Sequence, residues 1–507
     1  MKINLDDLIP EGMKLDVAAS PQTEWSKYQT DFFGAVQDTG DNLVLEAVAG
    51  SGKTTTILEA MKRLGTKNVL FLAFNKSIQM ELQARVPMGV TTKTLNALGH
   101  GVLSSRLQGG KLNSYKPHNI LKEMLNDEVY RDYGFPLARI LCMARHDGIG
   151  IRTDLSRETW EQFLLGGDMY VEASDAPRFA EILRRAFATM LDEYTTNFDF
   201  DDQLYMPIFH NMTFPQFDVV FIDEAQDLSY INHCQLVALQ KRGARIIAVG
   251  DSRQAIYAFR GADSRSMANL ADRFDARTLP LSICYRCDRL VVDEAKRLVP
   301  YIESAPTAAE GIITRHDEYP ATASYEPKAM IMCRNNAPLM RLACQFLKER
   351  VPCHIIMDFA KELTKLIERM GVPTTVELSV KLEAWRKRET EKAISLRREH
   401  LIPIIDDKVD CILPFCEEFD YAIQVKGAIQ NLTESKQGPR LSSIHKAKGL
   451  EADHAYILRP DLMPSQRALK KFQEYGDDSD LVQEDNLRYV AITRAKHHLH
   501  YLPGREQ

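Results

Sequence analysis

The stretch Leu43-Val44-Leu45-Glu46-Ala47-Val48-Ala49-Gly50-Ser51-Gly52-Lys53-Thr54-Thr55-Thr56 constrains this chain more than any other. Its apolar start has the composition of a buried strand, its glycines permit a tight loop, and residues 55–61 take up helical apolar spacing. Ala47-xxxx-Gly52-Lys53-Thr54 is the pattern of a phosphate-binding loop. Backbone N–H groups curl around phosphates, Lys53 reaches the β and γ oxygens, and the Thr54 hydroxyl holds Mg²⁺. The following helix adds its positive end. Residue frequencies alone yield such an octamer in a chain this long with a probability on the order of a few per cent, and the strand before it and helix after it lower that further. Ala49, Gly50, Ser51, Gly52, Lys53, Thr54 and Thr55 are the candidate nucleotide contacts.

What the loop powers must come from the rest of the chain. At 507 residues, 45% hydrophobic and 26% charged, the sequence has room for several domains and a large core. A net charge of −6 excludes a uniformly basic coat but not a local basic groove, so it is silent on nucleic acid. The nine cysteines show no paired framework, and no apolar run has the length of a membrane span or resembles a secretory signal. A reducing, cytoplasmic setting is expected: nucleoid-associated in a bacterium, host cytoplasm for a virus, nucleus for a eukaryote. Cys284-Tyr285-Arg286-Cys287 is a CxxC, but with no second CxxC or suitably spaced His pair, zinc or redox chemistry is disfavoured.

In chain order, residues 1–20 have no strong periodicity, and residues 25–36 have helical spacing. Gln29 there offers a side-chain amide able to pair with both edges of an adenine; taken alone, it reads as a solvated surface residue. Residues 68–74 form an apolar run that predicts a buried parallel strand, ending in Asn75-Lys76-Ser77 at what would be the functional edge of an open sheet. A short strand then leads to Thr94-Leu95-Asn96, whose polar groups suit a nucleic-acid backbone or an ordinary helix cap equally well. Strand signal fades from about residue 101 to 198, which predicts a helical insertion. Asp199-Phe200-Asp201-Asp202 ends it, and a solvated, helix-starting acidic turn is expected there in preference to a metal site.

Sheet pattern returns at residues 217–222, followed by Asp223-Glu224-Ala225-Gln226-Asp227. A strand ending in adjacent carboxylates is what a phosphate-loop ATPase requires, Asp223 for Mg²⁺ and Glu224 to orient and deprotonate the attacking water. Another strand, residues 244–249, runs into Gly250-Asp251-Ser252-Arg253-Gln254-Ala255-Ile256-Tyr257-Ala258-Phe259-Arg260-Gly261-Ala262. A glutamine able to sense a γ-phosphate thus lies a few residues from two aromatics at period-2 spacing and an arginine, a set that suits stacked bases and a backbone phosphate. Core packing of Tyr257 and Phe259 is the competing interpretation.

With these residues assembled, the chain resembles a UvrD/Rep-like superfamily 1 DNA helicase. The matching segments run in family order: Tyr28-Gln29, Ala47 to Thr54, residues 72–76, Asp223 to Asp227, and Gly250 to Ala262. They continue with Leu281-Ser282-Ile283-Cys284-Tyr285-Arg286-Cys287, Ser443-Ile444-His445-Lys446-Ala447-Lys448-Gly449-Leu450-Glu451 and Tyr489-Val490-Ala491-Ile492-Thr493-Arg494-Ala495-Lys496. The resemblance implies an α/β fold of two tandem RecA-like P-loop motor domains, parallel sheets flanked by helices, each with a mainly helical insertion. Residues 1–98 and 199–278 would form the first motor, 99–198 its insertion, 279–357 and 439–507 the second motor, and 358–438 a reduced accessory insertion.

It further implies that Gln29 recognises adenine, Tyr285 stacks near the base and Glu451 contacts the ribose or its surroundings. Lys53, Thr54, Asp223, Glu224 and Gln254 would carry ATP hydrolysis with Arg286 and Arg494 as arginine fingers, and Phe74, Asn75, Thr94, Tyr257, Phe259, Arg260 and His445 would meet DNA. The Tyr-x-Phe-Arg-Gly form resembles the branch moving 3′ to 5′. Asn96 stands where many relatives carry His, Cys284 where Asn is usual, Phe259 where Trp is frequent, and Ser443 where Thr is usual.

Residues 329–336 and 354–357 predict strands of the second motor, and the mixed charges of Lys381 to Arg388 predict a solvated helix face, with duplex contact as the alternative. Ala495 to Gln507 are expected to complete a strand around residues 498–502 and leave no room for a fused nuclease. The expected activity is ATP- and Mg²⁺-dependent 3′ to 5′ translocation on single-stranded DNA with duplex unwinding, in replication, repair or recombination. Expected partners are single strands, single/double-strand junctions and replication or recombination proteins, with no membrane and a monomeric chain. The alternatives are a translocase that mainly displaces bound proteins, a P-loop kinase, and a DNA-binding regulator with a dead ATPase.

Overall fold

The computed structural model describes residues 24–65, 68–166, 175–257, 263, 265–357, 359–395 and 399–504. Two six-stranded parallel sheets organise it. The first runs in the order Val90–Thr94, Val69–Ala73, Val219–Ile222, Arg245–Gly250, Leu43–Ala47, Arg277–Leu281. The second runs Ile312–Arg315, Ala495–Leu502, Ala452–Leu458, Met330–Cys333, Arg440–Ser443, His354–Ile356. These are the two RecA-like sheets expected of the sequence.

Apolar runs become central strands here because both faces are covered. Side chains alternate across a strand, so Val44, Leu70, Leu72, Val220, Ile222, Ile246 and Ala248 enter one apolar cluster. Their neighbours Leu43, Leu45, Val69, Phe71, Val219, Phe221, Ile247 and Val249 enter another on the opposite face. The helix Lys53–Arg63 lies on that second side, burying Ile57, Leu58, Ala60 and Met61. Each fully buried Leu, Ile or Phe contributes about 1.5–3 kcal/mol. Both faces are therefore needed to hold a sheet this apolar.

Six helices from Leu95–Leu103 to Phe200–Phe209 lie between the third and fourth strands of the first sheet along the chain, packed into its first cluster around Trp160, Phe179 and Phe187. Four more, Ala360–Met370, Thr375–Ser395, Ile402–Glu418 and Ala422–Glu434, interrupt the second sheet and share its core through Leu363, Leu382, Ile412 and Ile429.

Two expectations are corrected. Asp199 does start a helix, accepting from Asp202 N, but the turn is not solvated: Asp199 and Asp202 are buried with Arg145 and Lys116. Arg145 Nη1 binds Asp199 Oδ1 at 2.6 Å and Asp202 Oδ1 at 2.9 Å, its Nη2 binds Asp201 Oδ2 at 3.0 Å, and Lys116 Nζ binds Asp202 Oδ2 at 2.7 Å. Nor is the segment 381–388 a wholly solvated face. Leu382 and Trp385 are buried, and the Arg386 guanidinium pairs with Asp410 on the next helix.

Candidate active site

Parallel pairing brings the carboxyl ends of the first sheet's strands to one edge, where an open α/β sheet binds its ligand. The loops after residues 47, 73, 222 and 250 meet there. Gly50 and Gly52 have φ of 68° and 80°, left-handed values that let the loop reverse before the helix. At Gly50 the space is also limiting, since an added Cβ would lie 2.5 Å from Arg286 Cβ and 3.0 Å from Cys284 Sγ.

Thr54 Oγ1 lies 3.5 Å from Asp223 Oδ2. Burial and the adjacent Glu224 push the Asp223 carboxyl up to about 7. For Glu224, burial works in the same direction, but Lys53 and Lys448 outweigh it and hold its pKa low. Glu224 itself adopts a left-handed backbone at φ 55°, a costly conformation for a residue with a side chain and one that collects at functional sites. Its carboxylate accepts from Gln226 Nε2 at 2.5 Å, while Gln226 Oε1 accepts from Asp251 N at 3.0 Å. The bond from Asp251 N ties the loops after residues 222 and 250 together, and Gln254 Nε2 donates to Asp251 Oδ2 at 2.6 Å within the second of them.

The opposite wall comes from the second sheet. Val48, Ala49 and Ile256 are buried in one cluster with Cys284, Cys287, Ile444, Leu487 and Tyr489. Ala49 N donates to Tyr489 Oη at 2.8 Å, and Tyr285 N donates to Gly50 O at 2.9 Å. Cys284 is therefore a packing residue against the loop. Between the walls lies a cleft of about 720 Å³ that gathers residues 50–55, Phe74, Asn75, Asp223, Glu224, Asp227, Gln254, Tyr257, Arg286, Lys448, Glu451 and Arg494.

The two arginines are held differently. Arg286 Nε pairs with Glu451 Oε2 at 2.8 Å, and Lys496 Nζ takes Glu451 Oε1 at 2.8 Å. Arg494 is fully buried, donating to Val490 O at 3.0 Å, Leu450 O at 2.9 Å and Thr493 Oγ1 at 3.2 Å; burial and Arg286 pull its pKa down to about 10. Glu451, which the resemblance directs to the ribose or its surroundings, lines the cleft and braces Arg286.

Of the remaining expected residues, Gln29 is buried, not solvated: its Nε2 donates to Thr56 Oγ1 at 3.0 Å and its Oε1 accepts from Ser26 N at 3.0 Å. It sits behind the loop, 3.9 Å from an added Cβ at Gly52, and does not line the cleft. The Tyr285 side chain is exposed. Asn75 and Thr94 end adjacent strands and cap the helices after them, accepting from Ile78 N and Ala97 N. Asn96 Nδ2 donates to Phe200 O at 2.7 Å, a tie between helices. Phe74 and Tyr257 present rings 6.4 Å apart and 9° from parallel. The His445 carbonyl accepts from Tyr257 Oη at 3.2 Å. Phe259 and Arg260 lie outside the described residues.

Sequence reasoning missed Lys448, Asp227 and Asn486 as site residues. Lys448 Nζ donates to Asp227 Oδ2 at 2.6 Å and to Gln254 O at 2.8 Å, and stands 4.9 Å from the Tyr257 ring centroid. Asn486 Nδ2 donates to Ala255 O at 3.0 Å. Their signal was position: Lys448 and Asp227 fall inside motifs already singled out, and Asn486 lies one helical turn before Tyr489.

A family model described as an AAA domain matches residues 34–260, and one described as a UvrD-like helicase C-terminal domain matches residues 417–502. The F-box DNA helicase protein 1 of Schizosaccharomyces pombe is 24% identical over 503 residues, covering 91% of this chain and 55% of the relative. F-box DNA helicase 1 of Gallus gallus is 22% identical, covering 90% and 47%. The ATP-dependent DNA helicase UvrD2 of Mycobacterium tuberculosis (strain CDC 1551 / Oshkosh) is 24% identical, covering 89% and 75%. The chain spans about half the length of the two F-box relatives. The matched segments contain the phosphate loop and Asp-Glu strand on one side of the cleft and Lys448, Glu451 and Arg494 on the other, and the chain belongs to the UvrD-like helicases of superfamily 1.

Proposed function

We propose that this chain is an ATP-dependent DNA helicase or translocase that moves 3′ to 5′ along single-stranded DNA and unwinds duplex DNA in replication, repair or recombination. The observation that carries the proposal is the lysine bridge. Lys448, from the second sheet, holds both Asp227 and the Gln254 carbonyl of the first, against the ring of Tyr257. It joins the hydrolytic loops mechanically to the aromatic surface. In this reading residues 1–98 with 199–278 and 279–357 with 439–507 are the two motors, and 99–198 and 358–438 are their insertions.

ATP phosphates enter among the N–H groups of residues 50–55 with Lys53 on the β and γ oxygens. Glu224 accepts a proton from the attacking water, and Arg286 neutralises charge on the transferred phosphoryl from across the cleft. Thr54 and Asp223 offer a pair of hard oxygen donors that fits Mg²⁺. When bound there, Mg²⁺ supplies further charge neutralisation at the phosphates. Arg494 serves from the second wall once its bonds to Val490 and Leu450 exchange for phosphate. Closing the cleft on ATP and reopening it after hydrolysis moves one sheet relative to the other, and the segment 252–257, clamped by Lys448 and Asn486, is carried along.

Phe74 and Tyr257 are the stacking platform. Their near-parallel rings, 6.4 Å apart, are close to two stacking steps of about 3.4 Å, which suits one base held between them. The polarity rests on the Tyr-x-Phe-Arg-Gly sequence that follows Gln254. Unwinding of 3′-tailed, 5′-tailed and forked duplexes with and without ATP tests the whole. Unwinding from the 3′ tail is expected, and equal or better unwinding from a 5′ tail would overturn the polarity.

A further inference from the structure

On the second sheet, away from the cleft, a set of imidazoles takes no part in the chemistry above. Side chains two apart in a strand share a face. Parallel pairing sets His454 opposite His498 and Tyr456 opposite His500, and Thr314 of the edge strand opposite His500. His454, His498, His500 and, just past the edge strand, His316 therefore gather on one side. His500 is buried there and the other three are partly buried.

One nitrogen from each of His454, His498 and His500 lies within 4.8 Å of the others. His454 Nδ1 and His500 Nε2 are 3.4 Å apart. That is long for a hydrogen bond, and it equals the edge of about 3.4 Å in a tetrahedron with metal–nitrogen bonds of about 2.0–2.1 Å. The second nitrogen of His500, Nδ1, meets His316 Nε2 at 3.0 Å, and His498 Nε2 meets Thr314 Oγ1 at 3.0 Å. Outer partners of this kind fix the orientation of metal-ligating imidazoles. A carboxylate stands beside the set: Glu326 Oε2 is 3.5 Å from His454 Nδ1 and accepts from Tyr456 Oη at 3.1 Å.

We propose that His454, His498 and His500, with His316 behind His500 and Glu326 beside His454, form a binding site for a divalent transition metal of the Zn²⁺ class. Three converging imidazoles suit that class, with the fourth position open to water, whereas Mg²⁺ and Ca²⁺ require oxygen donors. None of these residues lines the nucleotide cleft. A metal here cross-links Ala452–Leu458 to Ala495–Leu502, the strand that begins immediately after Arg494. Its role is to stiffen the wall that presents the arginine.

Titration of the chelator-stripped 507-residue chain with Co²⁺, followed by visible d–d absorption, tests the site. The expected result is about one equivalent of four-coordinate metal, displaced by Zn²⁺. H454Q/H498Q should abolish the band, and H316A should weaken binding by about 10–100-fold, with the far-UV circular dichroism and nucleotide binding unchanged. If the double variant fails to fold, H454Q alone, altered at a partly exposed side chain, must lose the four-coordinate spectrum. A band that survives these substitutions overturns the site, as does uptake of Co²⁺ and Zn²⁺ only at millimolar concentration, an adventitious ion only.

Discussion

Two groups of carboxylates, one at the cleft and one in the helical insertion, differ in how fully cations pair with them. At the cleft, Asp223, Glu224 and Asp227 face Lys53, the last two Lys448 as well, and Asp251 lies buried behind them within the field of Lys53. Burial drives Asp223 up to about 7 and both Asp227 and Asp251 up to about 6 despite those lysines. In the helical insertion, Asp199, Asp201 and Asp202 surround Arg145, with Lys116 beside Asp202. There Arg145 and His146 outweigh burial at Asp201 and hold its pKa well below the usual carboxylate range, while burial keeps the more deeply buried Asp202 raised despite its two cations. Cations already in place make an acidic cluster structural. Carboxylates left short of cations are a place for a ligand that brings them.

Substitutions should separate the two groups. Among substitutions that leave the phosphate loop intact, Arg286→Ala is expected to produce the largest change, lowering DNA-stimulated ATP turnover by about 10³–10⁵-fold, the range for arginine fingers, with the melting temperature little altered. Glu224→Gln should lower the same turnover by about 10²–10⁴-fold while nucleotide binding persists. Robust turnover in that variant would remove Glu224 as the base. Lys53→Ala should abolish turnover by removing the phosphate contact itself.

On the structural side, Arg145→Ala leaves buried carboxylates without their partner, a change that costs about 3–5 kcal/mol. Thermal or denaturant unfolding should show this loss, and turnover per folded molecule should stay near that of the parent chain. A variant with unchanged stability and lost turnover would erase the contrast between the clusters. The smallest effect is expected at Tyr257→Ala, which should weaken single-stranded DNA binding by about 1–3 kcal/mol and leave ATPase activity at saturating DNA only modestly reduced.

The strands carrying the site were legible because a strand buried on both faces must be apolar throughout, and a loop that wraps phosphates must carry glycine and lysine. Residues 43–54 and 217–224 meet those demands locally, and the structure puts both where the pattern indicates. Asp199-Phe200-Asp201-Asp202 was misread for the converse reason. Its partner Arg145 lies in a helix some fifty residues earlier, and no local pattern distinguishes a paired carboxylate from a solvated one. The solvated reading of Gln29 failed in the same way, since the Thr56 hydroxyl that accepts from its amide belongs to another helix.

What the sequence alone determined is the inventory: a phosphate loop, a strand ending in two carboxylates, a glutamine with aromatics after it, and two arginines far along the chain. Backbone conformation and strand burial are set by near neighbours, so these could be read directly. Only the tertiary structure decided which groups meet: that Glu451 braces Arg286, that Arg494 is tied into its own wall, that Lys448 joins Gln254 and Asp227, and that four histidines share one face of a sheet. Such pairings depend on strand order and on the packing of one sheet against another, and residues hundreds of positions apart carry no mark of it until the chain has folded.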